Sequence, residues 1–348
     1  MKPSHLFAAS ILALACASGL AEARDLTVVG FGGATQDAMR ATLFRPYAEK
    51  TGQPFLEESY TGGIAKLKAM TQTGTTSWDV VQMDENEMIL ACDQGMLEAF
   101  DWKQRAHAAD IIGPAKSDCG VGAFVWSMIL AYDGDRIEGT KTEGPKSWAD
   151  FWNVEKWPGK RGLRKQVRMT LEIALLADGV EPAKVYEVLA TKAGQDRAFA
   201  KLEALKPHIQ WWESGAQPME WLASGDVAMS AAYNGRVIAA NAGGRHFRMS
   251  WTNQLYAMDF WAVPKGGNVE AAFGLVDYMT GPEPQKAFAE KMVYGVTNAK
   301  ASASIAPEIR PQLPTTPENM AGGLALDTPF WVDHEEELLQ RFNRWVAQ

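Results

Sequence analysis

The chain has 348 residues, of which 47% are hydrophobic and 22% charged, and its formal net charge at pH 7 is −8. This composition is typical of a globular protein with substantial cores, and the length favours two domains. The acidic balance argues against nucleic acid or an anionic membrane surface as a partner, because both need clustered positive charge.

The first 23 residues have the pattern of an export signal. Lys2 precedes the apolar run LFAASILALACASGL, and the tripeptide AEA at 21–23 offers small residues at the spacing that a signal peptidase recognises. The run is shorter than the roughly 20 apolar residues of a membrane span. We therefore expect a cleavable signal peptide over residues 1–23 and a periplasmic mature protein that starts near Arg24.

The three cysteines fit an exported protein. Cys16 lies in LALAC, so lipidation is an alternative to simple cleavage, although Ala13 stands where a lipobox prefers leucine. Removal of the leader leaves Cys92 and Cys119, an even number in an oxidising compartment. We expect these two to form a disulfide, and two buried free thiols are the alternative.

From Asp25 onward, the chain alternates between predicted strands and predicted helices. The predicted strands cover 25–31, 54–60 and 78–83, and the predicted helices cover 35–52, 64–73 and 85–95. The first helix is expected to bend or end near Pro46, and the third to stop at Gly95. Alternation of this kind predicts a parallel sheet covered by helices.

A second set of elements follows Gly139. It contains predicted helices at 170–179 and 186–205, and then a strand, a turn at Asn234-Gly235 and a helix within 225–244. Two long apolar runs, 122–133 and 255–264, could carry the chain between the two sets. The acidic segment DHEEELL from 333 is interpreted as the solvated face of a terminal helix. The sequence thus predicts an α/β protein with two lobes.

The segment GFGGAT after the first strand resembles a dinucleotide fingerprint, but Thr35 stands where the third glycine belongs. Backbone N–H groups at Gly32, Gly33 and Ala34 lie at a predicted helix start, which suits a ligand carboxylate or hydroxyl. A tight turn that merely needs glycine is the alternative interpretation.

Four aromatic residues are candidates for contact with a ligand, and each could instead belong to the core. Tyr233 is the best placed, at the end of a predicted strand. The others are Phe31, Trp126 and Trp261.

Asp259 lies inside the otherwise apolar segment LYAMDFWAVP. A carboxylate buried there is costly unless a positive or hydrogen-bonding group meets it. The two alternatives are an arginine or backbone donors of the chain itself, and the ammonium group of a ligand.

Patterns of catalytic and metal-binding residues are missing from the sequence. The segments ESGAQ and ASGDV do not match G-x-S-x-G, and neither HExxH nor CxxC occurs among the scattered histidines and cysteines. Glu57 and Glu58 are adjacent on a predicted strand, so they point to opposite faces. We expect no enzyme activity, no cofactor and no metal; an exported enzyme and a metal-ion carrier stay as the less favoured alternatives.

Several segments in one order resemble the periplasmic substrate-binding proteins of ABC transporters, specifically the spermidine/putrescine-binding family. They are GFGGATQDAMR, WDVVQMDENE, SWADFWNVEKWPGKRGL, WWESGAQPMEWLASGDVAMSAAYNGR, MDFWAVPKGG and GVTNAKA. The resemblance implies one lobe from 24–128 with 259–300 and another from 129–258 with 301–348. It also implies a ligand in the cleft between the lobes, a permease as partner and a monomeric protein.

The resemblance also implies roles for particular residues. Asp259 matches an acid that binds a ligand ammonium group, and Tyr233 matches an aromatic residue that packs on the carbon chain of the ligand. Contacts from the first lobe are implied near Asp84, Glu85 and Asn86.

The segment LRKQVRMTLE departs from the family pattern. Gln166 and Met169 stand where polyamine binders carry acids, and Arg164, Lys165 and Arg168 surround them. A basic cluster there would repel a second ammonium group and attract a carboxylate, for which we favour Arg168. A solvated basic turn is the alternative. The predicted ligand is therefore an ω-amino acid such as γ-aminobutyrate, and a polyamine is the second choice.

Overall fold

The computed structural model describes residues 24–137, 139 and 143–348. The predicted signal peptide, including Cys16, lies outside the described residues. Within the described ranges, the chain forms no helix with both the length and the apolar character that a membrane crossing needs.

In the described part of the chain, nine strands form one mixed sheet. Their order is β2-β1-β3-β8-β4-β7-β5-β6, and β9 pairs with β8 at one side of this path. The strands are β1 Leu26–Gly30, β2 Phe55–Ser59, β3 Val80–Asp84, β4 Gly120–Asp133, β5 Arg161–Arg164, β6 Ile209–Trp212, β7 Met229–Tyr233, β8 Phe247–Ala262 and β9 Leu324–Ala325.

Helices cover the sheet. In the first part of the chain they are α1 Gly33–Met39, α2 Arg45–Thr51, α3 Ala65–Thr73, α4 Glu85–Asp93, α5 Gly134–Ile137, α6 Trp148–Trp152, α7 Thr170–Ala177 and α8 Val185–Leu189. In the second part they are α9 Lys192–Leu205, α10 Gln217–Ser224, α11 Asn234–Ala242, α12 Val269–Met279, α13 Pro282–Met292, α14 Ala299–Ser304, α15 Pro317–Met320 and α16 Thr328–Val346. The predicted α/β class is confirmed.

The two long apolar runs form the antiparallel pair β4–β8 at the centre of the sheet. Almost every residue of β4 is buried, as expected of an apolar strand covered on both faces. On one side of the pair, β3 pairs with Asp259–Ala262 of β8. On the other side, β7 pairs with Met128–Tyr132 of β4. The central strands therefore join two sets of strands, with β1, β2 and β3 in one and β5, β6 and β7 in the other.

Two local predictions in the second half of the chain were wrong. The predicted helix 186–205 is two helices, because Thr191 accepts a hydrogen bond from the backbone N–H of Gly194 and caps a new start. Asn234 and Gly235 form no turn and instead open α11 directly after β7. The Asn234 amide is buried and binds the backbone of Ser127 and Val293. Tertiary hydrogen bonds thus override the local turn preference of an Asn-Gly pair.

The helix that begins near Thr35 does not end at Pro46. It continues from α1 through a π-helical turn, Arg40–Phe44, into α2, and Pro46 lies in the first turn of α2. A proline is tolerated there because the π turn interrupts the regular i→i−4 hydrogen bonds just before it, so the N–H that proline lacks is not needed.

The predicted disulfide between Cys92 and Cys119 is confirmed. The two Cα atoms are 5.8 Å apart, and the residues are separated by 27 positions. The bond ties the end of α4 to the start of β4.

Replacing both cysteines by serine should lower the free energy of unfolding by about 3 to 4 kcal/mol, the chain-entropy value for a loop of this length. Urea unfolding of the oxidised protein and of Cys92→Ser/Cys119→Ser measures the difference. Ligand affinity of the folded variant should be unchanged, since neither cysteine lines the cavity described below. Equal unfolding midpoints and slopes for the two proteins would contradict this prediction.

Candidate functional site

A cavity of about 100 Å³ lies where several strands of the sheet end. Its wall includes a residue from the carboxyl end of each of five strands: Phe31 after β1, Asp84 of β3, Arg164 of β5, Trp212 of β6 and Tyr233 of β7. Ligands of open α/β sheets bind in crevices at this end of the strands. The sheet thus brings together side chains that are far apart in the sequence.

Asp259, on β8, lines the cavity and is only 3% exposed. Its carboxylate accepts hydrogen bonds of 2.5 Å from Nε2 of Gln82 and of 2.5 Å from Nε1 of Trp126. Both donors are neutral, and within the described residues no lysine or arginine forms an ion pair with Asp259. Burial, together with the nearby charge of Asp84, raises the pKa of Asp259 well above its ordinary value.

Asp84 stands directly opposite Asp259 in the pairing of β3 with β8. Unlike Asp259, it forms an ion pair, with Nη2 of Arg168. Nη1 of Arg168 donates to the side-chain oxygen of Asn86. The charge of Asp84 is therefore compensated by the chain, and that of Asp259 is not.

Two arginines line the same cavity. Nη1 of Arg164 donates to the Tyr233 hydroxyl at 2.6 Å, and the guanidinium lies 5.8 Å from the ring centre of Trp212. Nη2 of Arg236 donates to the carbonyl of Gly32 at 3.3 Å. Neither arginine forms an ion pair among the residues that the structure describes, so both guanidinium groups are available to an anionic group.

Two other polar atoms of the cavity wall are buried and have no hydrogen-bond partner in the described part of the chain. They are Oε1 of Gln82, an acceptor, and Nε1 of Trp212, a donor. The acceptor belongs to the amide that holds Asp259, and the donor belongs to the ring beside Arg164. Leaving such atoms unpaired costs about 1 to 3 kcal/mol each. A ligand with a donor near Asp259 and an acceptor near Arg164 would satisfy both.

The cavity offers hydrogen-bonding groups and charged groups of both signs. Within the described ranges, no group of three or more His, Cys, Asp or Glu side chains is placed to hold a metal ion.

Five of the residues proposed from the sequence line this cavity: Asp259, Tyr233, Phe31, Asp84 and Trp126. The ring centres of Trp126 and Tyr233 lie 5.2 Å apart, so the two aromatic residues form one edge-to-face pair in the wall.

Gly32 and Gly33 do not line the cavity, although their neighbours Phe31 and Thr35 do. The N–H of Gly32 already donates to the side chain of Gln36. Gly33 has a φ of 61°, and a Cβ there would lie 2.5 Å from Nη1 of Arg236. Gly33 therefore leaves room for an arginine of the cavity.

Arg168, Glu85 and Trp261 also lie outside the cavity wall. Nη1 and Nη2 of Arg168 are held by Asn86 and Asp84, and its Nε is buried without a hydrogen-bond partner in the described part of the chain. Glu85 accepts a hydrogen bond from Thr328 of α16, and Trp261 is a core side chain, 1% exposed. The structure thus assigns these three residues structural contacts.

The sequence analysis missed several residues of the wall. Arg236 follows Tyr233 by three positions, which on a helix that starts at Asn234 places it in the first turn, near the strand end. That spacing could have identified it. Gln82 gave no such signal, because it resembles an ordinary residue of a buried strand.

Behind the cavity, Glu172 of α7 is fully buried. One carboxylate oxygen accepts hydrogen bonds from the Tyr186 hydroxyl, at 2.9 Å, and from Nε1 of Trp331, at 2.8 Å. Burial outweighs these bonds and raises the pKa of Glu172 from 4.5 to about 7. The folded state therefore binds a proton more tightly than the unfolded state, and this residue's contribution to stability falls as the pH rises from about 4.5 to about 7.

Glu172→Gln should remove the loss of stability with rising pH, while its amide oxygen still accepts hydrogen bonds from Tyr186 and Trp331. The quantity to compare is the free energy of unfolding of the variant minus that of the parent protein. We expect this difference to be about 2 to 3 kcal/mol larger near pH 8 than near pH 5. Urea unfolding of both proteins at the two pH values measures this. A stability difference that is the same at both values would show that Glu172 is ionised throughout.

Comparisons with known proteins identify the family of the chain. The sequence model of the family described as bacterial extracellular solute-binding protein matches residues 42–315. A γ-aminobutyric acid-binding protein of Pseudomonas aeruginosa is 45% identical over 348 residues, which cover 99% of this chain and 98% of the relative. The spermidine/putrescine-binding periplasmic protein of Escherichia coli is 24% identical over 322 residues, 88% of this chain and 87% of the relative.

Solved structures of binding proteins share the fold. The Atu4243–GABA receptor structure superposes with a TM-score of 0.81 and 31% identity, over 93% of this chain and 98% of the other. The binding protein MotA of A. tumefaciens B6, in complex with glucopine, gives a TM-score of 0.85 and 30% identity, over 93% and 100%. The resemblance seen in the sequence motifs is thereby confirmed, and the chain belongs to the bacterial extracellular solute-binding proteins.

Proposed function

We propose that this protein is the solute-binding component of an ABC importer and binds a short ω-amino acid such as γ-aminobutyrate. One observation carries the proposal: a buried carboxylate without a cationic partner, Asp259, shares a small cavity with two arginines that are free of ion pairs in the described part of the chain. A ligand with one ammonium and one carboxylate group places a charge of opposite sign against Asp259 and another against the arginines.

The ammonium group is placed at Asp259. An ammonium has three donors, and two acceptors are available there, namely the Asp259 carboxylate and the unpaired Oε1 of Gln82. The ring pair of Trp126 and Tyr233 lies beside them and suits a cation and its methylene chain.

The carboxylate group is placed at Arg164 and Arg236. A guanidinium group can donate two parallel hydrogen bonds to a carboxylate. The unpaired Nε1–H of Trp212 is a further donor for the ligand carboxylate. Burial raises the pKa of Tyr233 above its ordinary value, so its hydroxyl stays neutral. Tyr233 therefore does not compete with the ligand carboxylate as an anion for the two arginines.

A polyamine is the less favoured ligand. Its second ammonium group would meet the two arginines of the wall, and like charges in a buried site repel each other strongly. The curated relatives add to this preference, since the one named for γ-aminobutyric acid is 45% identical and the one named for spermidine and putrescine is 24% identical.

Binding is proposed to be a closure of two lobes, 24–128 with 259–300 and 129–258 with 301–348. This division is supported by the separate segments of β4 and β8 that pair with β7 and β3. The hydrogen bond from Arg236 to Gly32 and that from Thr328 to Glu85 join the proposed lobes across the cleft. The ligand would stabilise the closed form, in which both lobes contact it. We further propose a monomeric periplasmic protein that delivers its ligand to a permease without chemical change.

Isothermal titration calorimetry with matched ligands tests the proposal. The set is γ-aminobutyrate, butylamine without the carboxylate, butyrate without the amine, and putrescine with two amines. We expect γ-aminobutyrate to bind at least about 30-fold more tightly than each of the others, since each leaves a buried charge unpaired. Tighter binding of putrescine than of γ-aminobutyrate would overturn the assignment and favour a polyamine binder.

A further inference from the structure

We infer that Arg168 is a positioning residue that sets the charge of the amine end: it neutralises Asp84 from outside the cavity, so that Asp259 need not share a proton with Asp84 and its carboxylate can accept one ammonium group. The inference rests on the proposed function for the identity of the ligand. It gives Arg168 a role in selectivity that requires no contact with the ligand.

The first step is the pairing of two acids. Asp84 and Asp259 are directly opposite residues of the antiparallel strands β3 and β8, where side chains on one face are neighbours. Both line the cavity and both are buried. Two carboxylates in such a place cannot both stay ionised unless a cation compensates one of them, and otherwise they share a proton.

The second step is the position of the cation. Arg168 is 4% exposed and does not belong to the cavity wall. Its guanidinium binds Asp84 and Asn86, and the Asn86 amide donates in turn to Glu335 of α16 at 2.8 Å. The next residue, Met169, has a φ of 69°, a left-handed conformation that is unfavourable for methionine. The backbone is therefore strained directly next to the arginine that pairs with Asp84.

The third step is the competition between a proton and the ligand. Arg168 and Asp84 belong to different proposed lobes, so Arg168 compensates Asp84 in the closed form. There an ammonium ion can displace the proton that the raised pKa of Asp259 retains. Without Arg168, the pair holds that proton more tightly, and the ligand must compete against it at a higher pH. The other charged groups around the pair stay in place: Glu87 on α4, Glu172 on α7, Glu335 on α16, and Arg164 and Arg236 in the wall.

The test measures affinity for γ-aminobutyrate by calorimetry between about pH 5 and about pH 9. In the parent protein, affinity should fall up to tenfold per pH unit below the apparent pKa of the carboxylate pair. Arg168→Gln should move this fall to higher pH, and Arg168→Lys should restore the parent profile in large part. Arg197→Gln, which removes an exposed arginine paired with Asp178, is the matched control and should change nothing. A loss in Arg168→Gln that is the same at every pH would overturn the inference.

A ligand-free measurement separates this inference from the proposed function. Carbon-13 NMR titration of the aspartate carboxyl groups should show a higher apparent pKa for the pair in Arg168→Gln. In Asp84→Asn, with Arg168 kept, the apparent pKa of Asp259 should be lower than in the parent protein. If these shifts occur but the parent protein binds no ω-amino acid, the proposed function fails and the role of Arg168 stands. If Arg168→Gln does not fold, Arg168→Met is titrated in its place, and a pKa of the pair equal to that of the parent protein refutes the role.

Discussion

Asp259→Asn should weaken the binding of γ-aminobutyrate by about 2 to 5 kcal/mol, which is roughly 30-fold to several thousand-fold in Kd. The substitution keeps the size of the side chain and an acceptor for Gln82 or Trp126. It removes the negative charge, so the buried ammonium group loses its only anionic partner in the proposed binding mode. Calorimetry with the parent protein and the variant measures the change.

Two further measurements make this result specific. The exposed acid Asp226 offers a matched control, and Asp226→Asn should bind like the parent protein. The ligand-free Asp259→Asn protein should be at least as resistant to urea as the parent protein, because an uncompensated buried charge is costly. Parent-like affinity in a folded Asp259→Asn protein would refute the assignment of the amine.

Substitution of the two arginines should remove selectivity for the ligand carboxylate. We expect Arg164→Gln and Arg236→Gln each to weaken γ-aminobutyrate by about 2 kcal/mol or more, while the weaker binding of butylamine changes little. The reason is that only the amino acid carries a group for these guanidinium ions. Both ligands are titrated into the parent protein and into each of the two variants. The four affinities for each arginine form a double-mutant cycle, in which one change is the arginine substitution and the other is the absence of the ligand carboxylate.

The cycle has a defined failure. If an arginine substitution weakens butylamine as much as γ-aminobutyrate, that arginine supports the cavity and does not bind the carboxylate. Arg245→Gln is a suitable control, because Arg245 is an exposed residue outside the cavity wall. It should leave the affinities for both ligands unchanged.

Much of the fold could be predicted from the sequence because the signals are local. The alternation of apolar strands and helices between Leu26 and Asp93 follows the periodicities that the sequence analysis used. The long strands β4 and β8 were visible as apolar runs. Asn234-Gly235 was misjudged because the hydrogen bonds of Asn234 reach residues far away in the sequence.

The candidate site was predictable for residues whose chemistry conflicts with their surroundings. Asp259 interrupts an apolar strand, so its need for a partner could be read from the sequence alone. Arg168 shows the limit, since the sequence predicted that it binds a ligand carboxylate, with a solvated basic turn as the alternative, and the structure pairs it with Asp84. Its pairing with Asp84 joins the segment before α7 to the end of β3, a contact that sequence spacing does not encode.

Gly33 is a second residue whose role could not be identified from the sequence. The sequence indicated a glycine at the start of a helix, and both a ligand and a tight turn could explain it. The structure shows a third reason, the close approach of Arg236. Only the packing of α1 against α11 reveals it.

A crystal structure of the complex with γ-aminobutyrate is the most direct test of the central claim that Asp259 receives the amine. We expect the ligand nitrogen within hydrogen-bonding distance of the Asp259 carboxylate, and the ligand carboxylate within that distance of Arg164 or Arg236. A ligand bound in the reverse orientation, or an ammonium group that contacts Asp84 and leaves Asp259 with only Gln82 and Trp126, would contradict the account.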